Sequence, residues 1–68
     1  MQTWIGKAIA KMHINGISQR DVSDKMGITY SYLSEILNGK KTPKTAKERV
    51  NTAIEEIIEE RKKNNDIS

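Results

Sequence analysis

Apolar and small residues recur every three or four positions through the middle of the chain, in two sets on either side of Gly27. The first set is Val22, Ser23 and Met26, and the second set is Leu33, Ile36 and Leu37. This spacing predicts two short helices, over residues 18–26 and 29–37, joined by a tight turn at the glycine. Ile28, directly after the turn, is expected to be a buried plug between them. Two helices joined in this way form a helix-turn-helix motif, which we assign to residues 18–38.

The ends of both helices carry capping residues. Ser18 is followed three positions later by Asp21, which is a weaker form of the capping box, and Thr29 is expected to cap the second helix. Gly27 and Gly39 are expected to end the two helices, because glycine adopts a positive φ at little cost. The local signals and the apolar spacing therefore predict the same two helices.

Longer amphipathic segments flank the motif. Residues 3–15 are predicted to form a helix whose apolar face consists of Ile5, Ala8, Ile9 and Met12. A second helix is predicted over about residues 45–63, with an apolar stripe of Ala46, Val50, Ala53, Ile54, Ile57 and Ile58. Its start is open between a cap at Thr42, with Pro43 in the first turn, and a cap at Thr45. Residues 64–68 are expected to be a frayed tail.

These elements predict an all-α fold. A chain of 68 residues has room for one small domain. We expect a compact domain of four to five helices over residues 1–63, with a long C-terminal helix.

The positive charge is concentrated in the part of the chain that contains the motif. Residues 1–49 hold nine Lys or Arg and four Asp or Glu, a balance of +5, whereas residues 50–68 hold three and five, a balance of −2. A basic region of this kind favours a polyanionic partner.

The composition argues against several classes of function. The chain has no cysteine, a single histidine at His13 and no glycine-rich phosphate loop, so we expect neither a metal site nor an enzyme. No cofactor or small-molecule ligand is expected in so small a core. Lysines interrupt the N-terminal apolar segment, and no apolar run approaches the roughly 20 residues of a membrane span. We therefore expect a cytoplasmic protein without a membrane partner.

The motif resembles that of the lambda-repressor-like helix-turn-helix proteins, of the Cro or XRE type. The resemblance covers about residues 5–50 and is strongest over residues 19–43. The matching positions are Gln19, Val22, Ser23, Met26, Gly27, Ile28, Leu33, Ile36 and the closing NGK-x-x-P at 38–43. Ser23 departs from the alanine that is commonest there, and one long C-terminal helix replaces the two of many members. The resemblance implies the family's fold and DNA binding through the second motif helix.

The second motif helix has a polar face that can meet DNA. Residues near the N-terminus of a recognition helix approach base edges first, and Tyr30 and Ser31 both carry hydroxyl groups there. Glu35, one turn later, can accept a hydrogen bond from a cytosine amino group. The resemblance adds Ser34. The predicted base-reading residues are thus Tyr30, Ser31, Ser34 and Glu35, although Tyr30 can instead be packing and Glu35 can instead pair with Arg20 or a lysine.

Phosphate contacts are expected on both sides of this helix. Lys40 and Lys41 lie just past its end, and Gln19 lies beside the free N–H groups of the first motif helix. The resemblance implies that Gln19 and Asn38 hold the DNA backbone. The full predicted set is Gln19, Arg20, Thr29, Tyr32, Asn38, Lys40 and Lys41. Packing is an alternative for Tyr32 and plain surface for Arg20, while Lys7 and Lys11 are expected on a solvated face.

These features predict a sequence-specific regulator that binds double-stranded DNA, most simply a small repressor of the phage or mobile-element kind. One small module contacts few base pairs, so we expect a homodimer on a palindromic operator with half-sites about 34 Å apart. The isoleucine-rich C-terminal helix is the candidate dimer surface, unless its stripe only closes the core. The alternative is a protein-interaction module or antitoxin that binds a partner protein through this helix.

Overall fold

The structure is a computed structural model that describes the backbone of residues 3–67 and the side chains of residues 3–63. Over this range the chain forms four α-helices and no strand. The helices are α1 (Thr3–Ile14), α2 (Gln19–Met26), α3 (Tyr30–Leu37) and α4 (Ala46–Ile67). The predicted all-α, lambda-repressor-like fold is confirmed, and its described part has four helices rather than five.

A single core joins all four helices. Helix α2 packs against both α3 and α4, and α1 packs along α4. The buried apolar side chains are Ile5, Ala8, Met12, Ile17, Val22, Leu33, Ile36, Leu37, Ala46, Val50, Ala53, Ile54 and Ile57. The α4 stripe is therefore used in the core of the monomer, with only Ile58 partly buried at its edge.

The predicted caps of α2 and α3 are present. Ser18 and Asp21 form a reciprocal capping box, in which each backbone N–H donates to the other side chain, at 3.0 and 3.1 Å. The Thr29 hydroxyl accepts from the Tyr32 N–H at 3.0 Å. Gly27 has a φ of 73°, and the next N–H, from Ile28, turns back to the carbonyl of Ser23 at 3.1 Å. This is the Schellman arrangement, which ends α2 and starts the turn.

Ser23 satisfies its hydroxyl inside the core. The side chain is only 1% exposed. Its hydroxyl donates to the carbonyl of Arg20, at 3.0 Å, within the same helix. Because a buried hydroxyl without a partner is costly, this local bond lets serine occupy a position where a small side chain is needed.

Some of the predicted core residues are less buried than expected, among them Met26, which is partly buried. Ile9 is 42% exposed, because Ile5, Ala8 and Met12 already fill the side of α1 that faces the core. Ile28 is only partly buried, and packs against the edge of the core instead of acting as a buried plug. Ile9 sits beside the core arc of α1, which periodicity alone does not distinguish from its centre. Ile28 lies in the turn between α2 and α3, where no periodicity applies.

The boundaries of α4 differ from those predicted. The helix begins at Ala46, and the carbonyl of Thr45 accepts from the N–H of Arg49 at 2.9 Å, so the later of the two possible starts is correct. Its backbone is helical through Ile67, beyond the predicted end at about residue 63. No glycine or proline interrupts this stretch, so the helical hydrogen bonding has no local reason to stop. Ser68 lies outside the described residues.

Ion pairs tie the second half of α4 to α1 and α2. Lys11 pairs with Glu55 and keeps the exposed position expected for it. Lys25 Nζ lies 2.8 Å from Glu60 Oε2. This hydrogen bond to the carboxylate is the main reason that the pKa of Lys25 is raised. These pairs are well exposed, so each contributes little stability, but together they fix the direction of α4.

Arg61 connects α4 to the loop that precedes the motif. Its Nη1 donates to the carbonyls of Asn15 and Gly16, at 2.9 and 3.0 Å, and its Nη2 lies 3.4 Å from Asp21 Oδ2. The pKa of Asp21 is lowered, chiefly by hydrogen bonds from the backbone and hydroxyl of Ser18 and to a smaller extent by Arg61. One guanidinium thus supports both the end of α1 and the cap of α2.

We expect Arg61→Gln to lower the free energy of unfolding by about 1 kcal/mol, because two carbonyls and a carboxylate lose a charged donor. Urea unfolding followed by circular dichroism measures the change. Lys62→Gln is the matched control, since among the described side chains Lys62 pairs with Glu59 alone, at 3.9 Å, and both side chains are largely exposed. Equal losses in the two variants would contradict this role of Arg61.

Asp21 is expected to make stability depend on acidic pH. A folded-state pKa below the ordinary 3.8 means that the carboxylate stabilises the protein fully above that value and loses its effect as the pH falls through the lowered pKa. Asp21→Asn should therefore be less stable than the wild type at neutral pH, and the difference should shrink in strong acid. Urea unfolding of both proteins across this range measures it, and a constant difference would show that the charge is not involved.

Candidate nucleic-acid interface

Helix α3 has one buried face and one polar face. Leu33, Ile36 and Leu37 are buried in the core. The opposite face carries the predicted base-reading residues, with Tyr30 and Ser31 exposed and Ser34 and Glu35 partly buried. Packing therefore fixes which side of this eight-residue helix faces outward.

The start of α2 contacts the start of α3. The Arg20 guanidinium carbon lies 5.5 Å from the centre of the Tyr30 ring, within the range of a cation–π contact. The Gln19 side-chain amide donates to the Tyr30 carbonyl at 3.5 Å, the long limit of a hydrogen bond. Gln19, Arg20 and Tyr30, predicted separately as DNA contacts, thus form one cluster at the N-terminal end of the polar face.

The C-terminal end of the polar face has its own cluster. The Asn38 amide donates to the Ser34 carbonyl at 2.9 Å and to the Ser34 hydroxyl at 3.3 Å. The Asn38 amide nitrogen is thereby directed at Ser34, while the hydroxyl proton of Ser34 is left to donate elsewhere. Asn38 thus helps to orient Ser34 on the polar face.

Two lysines are held directly beside the end of α3. The backbone N–H groups of Lys40 and Lys41 both donate to the Glu35 carbonyl, at 2.8 and 3.2 Å. Their side chains are exposed. Since these bonds fix the backbone at the end of the helix, the two ammonium groups extend from a defined position.

Other predicted contacts have more than one structural use. Tyr32 is partly buried and packs against the core, which is the packing alternative expected for it. The Thr29 oxygen accepts the capping bond, and its hydroxyl proton remains able to donate. Among the described side chains no ion pair includes Glu35, so the expected pairing with Arg20 or a lysine is not formed.

Positive charge is left unpaired next to α3. Acidic residues of α4 pair with Lys11, Lys25 and Lys62, and none of these lysines belongs to the loop after α3. No ion pair among the described side chains uses any of the four lysines of residues 40–47, which are Lys40, Lys41, Lys44 and Lys47. With Glu35 as the only acid of residues 30–47, this segment keeps a net charge of +3.

Two useful residues were missing from the sequence predictions. Lys44 is exposed in the same loop as Lys40 and Lys41, and its place in that lysine-rich run was a visible signal. Arg49 donates from Nη2 to the Met26 carbonyl at 3.3 Å, and so supports the turn of the motif from α4. No local signal marks Arg49, because its partner lies 23 positions earlier.

The described part of the chain lacks the features of a metal site and of a membrane span. No group of three or more His, Asp or Glu side chains is placed to hold a metal ion there. None of the described helices combines the length and the apolar character needed to cross a membrane.

Comparison with known proteins identifies the family. A family model described as helix-turn-helix matches residues 14–47, which is half of the chain and contains α2, the turn and α3. No curated protein and no solved structure matches. Members of this family are DNA-binding regulators and generally not enzymes. The chain belongs to the helix-turn-helix family of lambda-repressor-like, Cro-type DNA-binding proteins.

Proposed function

We propose that the protein is a sequence-specific regulator of transcription, which places α3 in the major groove of double-stranded DNA and represses by blocking access of polymerase. The observation that carries this proposal is the exposed polar face of α3, bordered by lysines without ion pairs. A helix of this width fits the major groove, where base edges carry a distinct pattern of donors and acceptors. The binding unit is the predicted domain of residues 1–63.

Base reading is assigned to the outward side chains of α3. Tyr30 is 47% exposed in the first turn of the helix, where side chains approach bases first. Its ring can contact a thymine methyl group, and the hydroxyls of Ser31 and Ser34 can donate or accept. Glu35, partly buried further along, can accept from a cytosine amino group.

Phosphate binding is assigned to groups at both ends of α3. Lys40 and Lys41 provide cations after the helix, and Lys44 adds a third in the same loop. Before the helix, Thr29 can donate its hydroxyl proton and Gln19 retains one amide proton beyond its bond to Tyr30. These contacts set the register of the protein on DNA without reading sequence.

The protein-interaction alternative has weaker support than DNA binding. It requires an amphipathic α4 with a free apolar face, but five apolar residues of that face are buried in the monomer core. We therefore propose a homodimer only in connection with DNA, because a single small module contacts few base pairs and a palindromic operator needs two.

Replacing Lys40 and Lys41 together with alanine is expected to weaken binding to all duplexes by a similar factor. Each lost phosphate contact should reduce the slope of log affinity against log salt by about 1. Fluorescence anisotropy across a salt series, with mixed-sequence duplex and with a duplex selected by the wild type from a random pool, measures both quantities. Lys62→Ala is the control, because that lysine is at the far end of α4. Salt-independent binding, or no binding by the wild type, would overturn the proposed function.

Replacing Ser31 with alanine in the same assay should behave differently. Loss of one base contact should change which sequence is preferred and leave the salt slope unchanged, because no phosphate contact is removed. Repeating the selection from a random pool with the variant tests the change in preference. If Ser31→Ala and the double lysine variant act alike, the division into reading and positioning residues is wrong.

We expect two protein chains on each selected operator. Light scattering of the protein with and without that duplex measures the stoichiometry, and the selected sequence should contain two inverted half-sites. A single bound chain at micromolar concentration would remove the dimer from the proposal but would leave DNA binding intact.

A further inference from the structure

The first residue of α3 is contacted by two successive residues of α2. Arg20 lies over the ring of Tyr30, with 5.5 Å between the guanidinium carbon and the ring centre. Gln19 reaches the Tyr30 carbonyl at 3.5 Å. One contact acts on the side chain of Tyr30 and the other on its backbone, so the two together constrain both parts of the same residue.

Arg20 makes no ion pair among the described side chains, although acids follow it at Asp21 and Asp24. Asp21 is engaged by Ser18 and Arg61. The aromatic ring is therefore the partner that the structure gives to this guanidinium, even though both side chains belong to exposed residues.

Stacking matters here because Tyr30 is only partly covered by the rest of the protein. A side chain that is 47% exposed in the first turn of a helix has fewer packing contacts to select one rotamer than a buried side chain has. Fixing a side chain before binding reduces the conformational entropy lost on complex formation. An exposed cation–π contact changes an equilibrium by about two- to fivefold, which is enough to affect preference between sequences.

We propose that Arg20 is a positioning residue that holds the Tyr30 ring against α2 for base contact, and is not itself a phosphate ligand. This inference rests on the proposed function, because it assigns Arg20 a part in sequence preference. It also makes the pair Arg20 and Tyr30, rather than Tyr30 alone, the determinant of specificity at the N-terminal end of α3.

A double-mutant cycle on DNA binding tests the proposal. The measured quantity is the ratio of affinities for the selected duplex and for mixed-sequence duplex, by anisotropy, over a salt series. Arg20→Gln should lower this ratio about two- to fivefold without changing the salt slope. The same substitution should have no further effect in a Tyr30→Leu background, which lacks the ring. In a Tyr30→Phe background, where the ring remains, the loss should be retained.

Lys40→Gln is the matched control, because it removes one exposed cation that lacks a ring partner in the structure. It should reduce the salt slope by about 1 and weaken both duplexes alike. The proposal is overturned if Arg20→Gln behaves like this control, which would make Arg20 a phosphate ligand. Additive effects of Arg20→Gln and Tyr30→Leu would overturn it as well, because independent residues do not couple.

Nuclear magnetic resonance of the free protein separates this inference from the proposed function. Stacking should shift the Arg20 side-chain protons upfield, and the shift should disappear in Tyr30→Leu and persist in Tyr30→Phe. If the wild type binds DNA without this shift, only the positioning role of Arg20 fails. If the shift is present and neither duplex is bound, the proposed function fails and its consequence for specificity fails with it.

Discussion

The packing of α2 between α3 and α4 is the constraint on which the interface depends. An isolated helix of eight residues is not stable in water, so α3 keeps its shape and direction only through tertiary contacts and caps. One edge of α2 is tied to α4 by the ion pairs of Asp21 and Lys25. The N-terminal end of α2 contacts Tyr30 of α3 through Gln19 and Arg20. The position of α3 is therefore set indirectly by the long C-terminal helix.

Charge pairing follows the same arrangement. Three acids of α4 take up lysines of α1, α2 and α4, and Arg61 completes the group by bonding to the loop before α2. The lysines after α3 have no acid on α4 among these pairs. A modest net charge of +3 is thus distributed so that its unpaired part adjoins the polar face of α3. Local distribution, more than total charge, makes a polyanion a suitable partner.

The sequence predicted the helices well because their signals are local. Ser18 with Asp21, Thr29 and Gly27 act within four residues, and the structure has each cap where it was expected. Core membership was predicted less well at Ile9, since a periodic pattern does not reveal how wide the buried arc is. It was also predicted less well at Ile28, because a position after a turn does not show how deeply the side chain reaches into the core. The end of α4 was predicted too early, at about residue 63, because the polar residues after Lys63 gave no positive signal for a helix.

The side-chain partners within the interface depend on contacts that sequence spacing does not contain. Arg20 and Tyr30 are ten positions apart and on different helices. The sequence therefore predicted Arg20 as a phosphate contact or as plain surface, and neither prediction included its contact with the Tyr30 ring. Asn38 illustrates the same point within one helix turn, because its amide nitrogen donates to Ser34. A family pattern specifies which residue types face DNA, whereas the neighbours of each side chain decide which of its donors remain available. In this protein the lysines after α3 make no ion pair among the described side chains, whereas the amides of Gln19 and Asn38 and the guanidinium of Arg20 contact other residues of the motif.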